Sequence, residues 1–420
     1  MRLIRITTNY ITYLKQIYIQ NPSVKDQSYL FQYEYLISDC FGWADFWTHA
    51  LSKLGHEVWE PVANAEAMQK TWAIENNISF DSNSWLLDII KHQVLSYNPD
   101  VLFVDDYHTF SKNFLNELKA NCNSIKLVIG WCGAPYDDEQ AFSAYDLVLS
   151  NIPELVKEFQ YLGHRSQYFK HAFDPRILKR LINVDKTPDS NTASSKILFS
   201  FIGSIVAGKL GHNQRIKLLK QLAKNIDIDI FSDVNQFNGK EIILGMLKPL
   251  FYDSVNFLSQ VSILKSILEN IPKCRKFMDM KARPTNPKQI DRDILRRAKK
   301  PVFGIEMFNV LSKSSVTFNN HIDISRNSAS NMRLFEATGV GTCLLTDWKS
   351  NLHELFEPDY EVVTYRSVEE CIEKAKWLLD NPLERDKIAK AGQARTLREH
   401  TFDNRALVLD EIIQGFLKKK

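Results

Sequence analysis

Short apolar runs separated by longer amphipathic stretches organise the first 185 residues. The opening Met1–Thr8 reads as a first strand, and runs of strand length recur at Asp100–Val104, Lys126–Gly130 and Asp146–Ser150. Strands alternating with helices predict a mostly parallel sheet covered by helices. Gly42–Leu51 predicts a helix ending at Gly55, with a strand at His56-Glu57-Val58. Tyr10–Tyr35 is polar and aromatic, an extra helix or a loop over a cleft.

Val184–Ser195 is polar and without period, which reads as a linker. A second α/β pattern begins at Lys196. Ile197–Ile202 is an apolar strand-length run, followed by Gly203-Ser204, a loop with Gly208 and Gly211, and a helix carrying Arg215. Asp227–Phe231 is the next strand, Leu244–Ile271 reads as helix, and Val316–His321 returns to strand. Asn331–Asp347 predicts a short helix, a glycine turn and a buried strand: Ser330 or Asn331 caps the helix, Gly339 stops it, and Gly341 turns the chain. Ser367–Glu370 is a capping box, ahead of apolar positions at helical spacing from Val368 to Leu379. The domains predicted are 1–185, a linker at 186–195, and 196–402 with an insertion at about 237–300, then a last helix over 403–420.

Composition changes this picture little. With 420 residues, 44% hydrophobic and 25% charged, the chain has room for two ordinary cores. A net charge of +3 calls for neither nucleic acid nor membrane. No apolar run is long enough to span a bilayer, and the start does not resemble a signal peptide. Six cysteines without metal-ligand spacing point to buried thiols and a cytoplasmic setting. One stretch departs from this balance: Lys273–Lys300 holds eleven Lys or Arg against three Asp, a local +8. Such a segment fits peripheral contact with an anionic membrane, at its inner face, or an anionic polymer, or is simply a solvated excursion.

Two places carry candidate chemistry. Arg333 and Glu336 lie three apart and share a helix face. Asn331 and Arg333 flank a helix start where phosphate is welcome, and Glu336 is placed to accept hydrogen bonds from a ribose diol. The plain alternative is a helix–strand unit whose Glu and Arg pair on the surface. Gly203-Ser204 followed by Arg215 has the logic of a phosphate loop, although most such turns bind nothing.

The stretch Arg333–Gly341 resembles the Arg-x-x-Glu-Ala-x-Gly-x-Gly segment of two-domain (GT-B) glycosyltransferases, most of all the CgeB-like, glycosyltransferase family 1-like branch. The strand exit at His171–Pro175 and the ending His400–Arg405 are also similar to that family. The resemblance implies an α/β fold of two Rossmann-like domains facing a cleft, with a helical basic insertion in the second and the last helix returning to the first. It implies a nucleotide-sugar donor as substrate with no cofactor, a glycan or other glycoconjugate as acceptor, and Glu336 on the donor ribose. Gly203, Ser204, Arg215, Arg326, Asn331 and Arg333 stand where the donor would be held. No Asp-x-Asp motif is present, so metal independence is expected. Ser328 occupies the place where retaining members carry a second glutamate, which favours inversion. The acceptor-side base is then expected at Asp45, beside the acceptor loop, with Asp106, His108 and His49 as rivals. A non-catalytic scaffold or glycan-binding relative and a nucleotide-sugar epimerase are the alternatives.

Overall fold

The computed structural model describes residues 1–136, 138–184, 196–205, 211–233, 239–269, 271–278 and 291–418. The expected linker 186–195, Gly208 and part of the basic stretch lie outside the described residues. The first sheet contains β1 (Arg2–Ile6), β2 (Glu57–Trp59), β3 (Val101–Val104), β4 (Leu127–Trp131), β5 (Leu147–Ser150) and β6 (Ser166–Tyr168), in the order β2-β1-β3-β4-β5-β6. Every neighbouring pair is parallel. The second contains β7 (Ile197–Ile202), β8 (Asp229–Phe231), β9 (Ala298–Lys299), β10 (Ser314–Asn319), β11 (Cys343–Asp347) and β12 (Val363–Tyr365), in the order β12-β11-β10-β7-β8-β9. From β12 to β8 its pairs are parallel as well. The apolar runs form these strands because helices cover both faces: β3, β10 and β11 are buried along their whole length.

Chain connectivity reverses direction once in each sheet. In the first, β2 lies on one side of β1 and β3 on the other; in the second, β8 and β10 flank β7. Ligands in open parallel sheets bind beyond the carboxyl ends of the strands at such switch points. The residues there are Thr7–Asn9 and Asp105-Asp106 in the first sheet, Gly203-Ser204 and Asn320-His321 in the second.

Residues Met1–Ser232 and Lys299–Lys420 form one compact unit, in which a single apolar core runs through both sheets. It joins Leu3, Phe103 and Ile129 of the first sheet to Ile202 and Leu344 of the second and to Leu334 and Phe335 of the helix Arg333–Gly339. The last helix, Phe402–Leu417, packs on the first sheet's side: Phe402 meets Phe46 and Trp47 at 5.0 Å, and Lys53 pairs with Asp403 at 2.8 Å. Phe173 and Thr401 bridge the two crossing segments, with backbone bonds from Phe173 N–H to the His400 carbonyl and from Phe402 N–H to the Phe173 carbonyl.

The aromatic segment after β1 is two helices, Ile11–Gln20 and Tyr29–Ser38. Its aromatic rings explain its composition. Tyr13 stacks on Phe41 at 3.9 Å, and Phe41 meets Phe303 at 5.7 Å, so the segment ties the first domain to the entry of the helix Gly304–Lys313. Asp39 completes this joint by accepting the Ile305 N–H at 3.3 Å. Gly304, at φ +52°, has no room for a side chain, because a Cβ there would lie 1.9 Å from an Asp39 carboxylate oxygen.

Asp233–Ala298 forms a separate compact unit. The expected helix Leu244–Ile271 is broken in two here, Gly239–Leu258 and Ser262–Glu269, and Pro272–Met278 follows. All six cysteines are free and buried.

Candidate active site

Glu336 sits on the helix Arg333–Gly339, whose other residues from Leu334 to Gly339 are buried. The Arg333 guanidinium donates to Glu336 Oε2 at 2.9 Å, with the two side chains only 14% and 11% exposed. Arg333 Nη1 also touches Met307 Sδ at 3.1 Å, on the helix held by Asp39. Among the described residues the other carboxylate oxygen of Glu336 and the rest of the Arg333 guanidinium have no protein partner. The pair is thus neither a loose surface pair nor a closed one: each ion keeps a face open.

Tyr10, across from this pair, comes from the first domain. Burial and the Glu336 carboxylate push its hydroxyl up while Arg333 pulls it down, and the residue as a whole is 62% exposed. Asn151, just past β5, also ties the first sheet's side to this segment by donating to the Ser330 carbonyl at 2.6 Å.

The helix start differs from expectation. Neither Ser330 nor Asn331 caps it; Met332 is the N-cap residue, in helical geometry. The hydroxyls of Ser330 and Ser325 meet at 2.7 Å, and Asn331 donates to Asn319 Oδ1 and the Asn320 carbonyl at 2.9 and 3.2 Å. Asn331 thereby braces the end of β10. Gly339 does not stop the helix in a left-handed conformation. That conformation belongs to Gly341, at φ +85°, while a Cβ at Gly339 would lie 2.4 Å from the Phe173 ring. The first glycine of the motif permits close packing between the domains, and the second makes the turn.

Arg215 is placed at the second switch point, but buried. Its guanidinium donates twice to the Asn320 carbonyl and once, at 2.9 Å, to the Ser204 carbonyl, and it lies 5.6 Å from the Phe201 ring centre. Burial lowers its pKa to about 10, so it remains a cation. It spends its main donors on the loops after β7 and β10 and holds them in place; the expected direct phosphate contact is not its main engagement. Gly203 follows from this packing, since a Cβ would sit 3.1 Å from the Phe201 ring. Arg326 is exposed with no protein partner among the described residues, on a backbone at φ +45° that L-residues rarely adopt. Lys349 holds that backbone by donating to the Arg326 carbonyl at 2.6 Å.

Three residues here had not been singled out as site candidates from the sequence. His321 Nδ1 lies 2.6 Å from Asp347 Oδ1, and Lys349 pairs with Asp347 Oδ2 at 3.2 Å. Burial opposes ionisation of Asp347, but the His321 contact and Lys349 outweigh it and bring the pKa to about 2. Buried polar atoms with no partner among the described residues lie on the same segment: Asn320 Oδ1, His321 Nε2 and Asp323 Oδ1. Native proteins leave few such groups, and each calls for a partner. The usable signal was the run of polar residues directly after the apolar strands β10 and β11.

On the first domain's side the candidates part company. Asp106 accepts from the Thr8 and Thr109 hydroxyls at 2.6 Å and from the His108 and Thr109 N–H groups at 3.0 Å. Burial pushes its pKa up, but these bonds outweigh it and the net shift is downward. A carboxylate offers about four acceptor sites, so Asp106 is filled as a clasp between the loops after β1 and β3. It is corrected from base to clasp. His108 next to it is exposed, its ring 4.2 Å from Tyr107. Asp45 precedes the helix Phe46–Ser52 and is gripped by Arg176 at 2.9 and 3.2 Å, an arginine that also pairs with Asp174. The loop before it is strained, with Cys40, Gly42 and Ala44 all at positive φ. His49, half-buried, has its pKa lowered by burial and by Arg176.

Residues 286–411 match the family model described as glycosyl transferase-like. No curated protein sequence matches the chain. Among solved structures, HepE of Anabaena, in complex with UDP-glucose, is similar with a TM-score of 0.55 and 10% identity, over 99% of this chain and 100% of that one. The sucrose-phosphate synthase of Thermosynechococcus elongatus is similar at 0.52 and 9%, over the whole of both chains. A putative UDP-N-acetylglucosamine 2-epimerase from Listeria monocytogenes reaches 0.50 and 14%, over 100% and 97%. At such identities the structures speak for the fold, which two reactions share here, while the matched segment, holding Arg333, Glu336 and both motif glycines, speaks for the class. With that segment built into one of two parallel sheets, the chain has the GT-B fold and carries a glycosyl transferase-like segment over residues 286–411.

Proposed function

We propose that the protein transfers a sugar from a nucleoside-diphosphate donor to a hydroxyl of a glycan, lipid-linked or other acceptor, without a metal ion and with inversion at the anomeric carbon. The observation that carries this reading is the half-open Arg333–Glu336 pair, with one carboxylate oxygen and part of a guanidinium left without a protein partner among the described residues. A ribose diol donates hydrogen bonds to such a carboxylate oxygen. A diphosphate meets the open guanidinium and Arg326, which supply the electrostatic stabilisation a departing diphosphate needs. The unpartnered atoms at Asn320, His321 and Asp323 favour a polar ligand at the switch point.

In the reaction the acceptor oxygen attacks the anomeric carbon as its bond to the diphosphate breaks. The acceptor proton passes to a base of the first domain, and the nucleoside diphosphate leaves. Asp45 is our first assignment for that base, because Arg176 fixes its carboxylate next to the strained acceptor-side loop; His108 and His49 are the rivals. The filled acceptor sites of Asp106 favour one competing reading, a non-catalytic glycan-binding relative.

A thermal-shift screen of the full chain against UDP, GDP, dTDP, CDP and CMP, with Glu336→Ala alongside, tests the donor half. A ligand at a hundred times its Kd adds about 2.7 kcal/mol to the bound state. The expected result is one nucleotide that shifts the wild type and not the variant. No shift with any of them overturns the donor site. Turnover of the matching donor, with the product's anomeric configuration read by NMR, then separates an inverting enzyme from a retaining one and from a non-catalytic binder.

A further inference from the structure

We infer that the exposed apolar face of the unit Asp233–Ala298 docks on an anionic lipid bilayer, with the helix Gly239–Leu258 lying in the headgroup plane. In that helix Leu247, Leu250, Phe251, Phe257 and Leu258 are all exposed, from 41% at Leu258 to 71% at Phe257. Their spacings of three, four and seven put them on one face. The opposite face holds buried Pro249 and Val255 and half-buried Tyr252 and Asn256. From Leu247 to Leu258 the helix thus turns its larger apolar side outward, the reverse of an ordinary surface helix, and further apolar side chains, Val261, Leu264 and Ile271, are exposed in the same unit.

Charge selects the occupant. Lys248, Lys265, Lys273 and Arg275 of this unit are exposed, against exposed Asp253 and Glu269, with Lys265 facing Glu269 at 4.0 Å. The sequence from Lys273 to Lys300 is also strongly basic. A polyanionic polymer would satisfy the cations but leave leucines and phenylalanines in water. A second copy would cover the apolar face but bring basic groups together. An anionic bilayer satisfies both, which is how interfacial helices bind. Among the described residues no helix is long and apolar enough to cross a membrane, so the contact is with the surface. The inference does not depend on the donor site.

The test is co-sedimentation of the full chain with vesicles of phosphatidylcholine alone or mixed with phosphatidylglycerol. The expected result is pelleting with the mixed vesicles only, weakened by salt, and a partition coefficient lowered at least about tenfold in Leu250→Glu/Phe257→Glu. A Lys265→Glu/Lys273→Glu chain should lose the preference for anionic vesicles. All four positions are exposed, and a circular dichroism melt checks that each variant folds; Phe257→Ser alone serves should the double variant fail. Three outcomes overturn the inference. One is equal partition into both vesicle types, and another is binding indifferent to the glutamates. The third is a dimer in sedimentation velocity that Leu250→Glu/Phe257→Glu dissociates, which would make the face an interface between copies.

Discussion

Glu336→Gln keeps the size of the side chain and one carbonyl oxygen while removing the charge that the ribose hydroxyls are proposed to meet. Hydrogen bonds to charged groups contribute about 1.5–3 kcal/mol each. With tenfold in affinity per 1.4 kcal/mol, the Kd of the bound nucleoside diphosphate should rise roughly 10- to 150-fold. The fold should suffer less. Arg333 loses its partner at 2.9 Å, but the guanidinium retains Met307 and an open face, so the stability cost should stay near 1 kcal/mol. The assay is titration calorimetry of wild type and variant, each with the nucleotide and with its 2′-deoxy form. If Glu336 holds the diol, deleting the 2′-hydroxyl weakens the wild type strongly and the variant hardly at all, a non-additivity that only contacting groups show. Equal losses in both proteins would refute the contact, whatever the size of the first effect.

Other consequences are equally concrete. Gly339→Ala drives a methyl to within 2.4 Å of the buried Phe173 ring and should cost about 1–3 kcal/mol or more in urea unfolding, an overpacking penalty at the domain junction. Asp45→Asn can still accept from Arg176, so melting temperature and KM should change little while kcat falls about 100-fold or more; a kcat within about threefold of wild type would move the base elsewhere. Asp39 gives a pH prediction. Burial raises its pKa to about 6, so between about pH 4 and pH 6 the folded protein holds a proton that the unfolded chain has released. That contribution favours folding at low pH and is lost as pH rises through about 6. Asp39→Asn should flatten this limb of the stability–pH curve, by roughly 2–3 kcal/mol across it. An unchanged curve would show that the Asp39 contact opens without cost.

Much of the architecture was legible because buried parallel strands leave a local trace. Val101–Val104 and Cys343–Asp347 are short apolar runs, and a run buried on both faces needs no partner's sequence to be recognised. The Arg333–Glu336 neighbourhood was legible for a similar reason, as residues three apart on a helix share a face. The tyrosine-rich helices were not. Tyr13 and Phe41 pack on Phe303, more than 250 residues away, so no local period could reveal them. The roles of Asp106 and Arg215 were misplaced because a side chain's availability depends on what else reaches it. Thr8 arrives from another strand's loop, and the Asn320 carbonyl from 105 residues further on.

By itself, then, the sequence determined the α/β alternation of the main strands, the closeness of Arg333 to Glu336 on one helix face and the basic character of Lys273–Lys300, all matters of local spacing and composition. Only the tertiary structure decided which groups are free. It filled Asp106 and buried Arg215, left Glu336 half open, and turned the apolar side of Leu247–Leu258 outward. The physical reason is that hydrogen-bond capacity and exposure are settled by neighbours distant along the chain, and only folding brings those neighbours together.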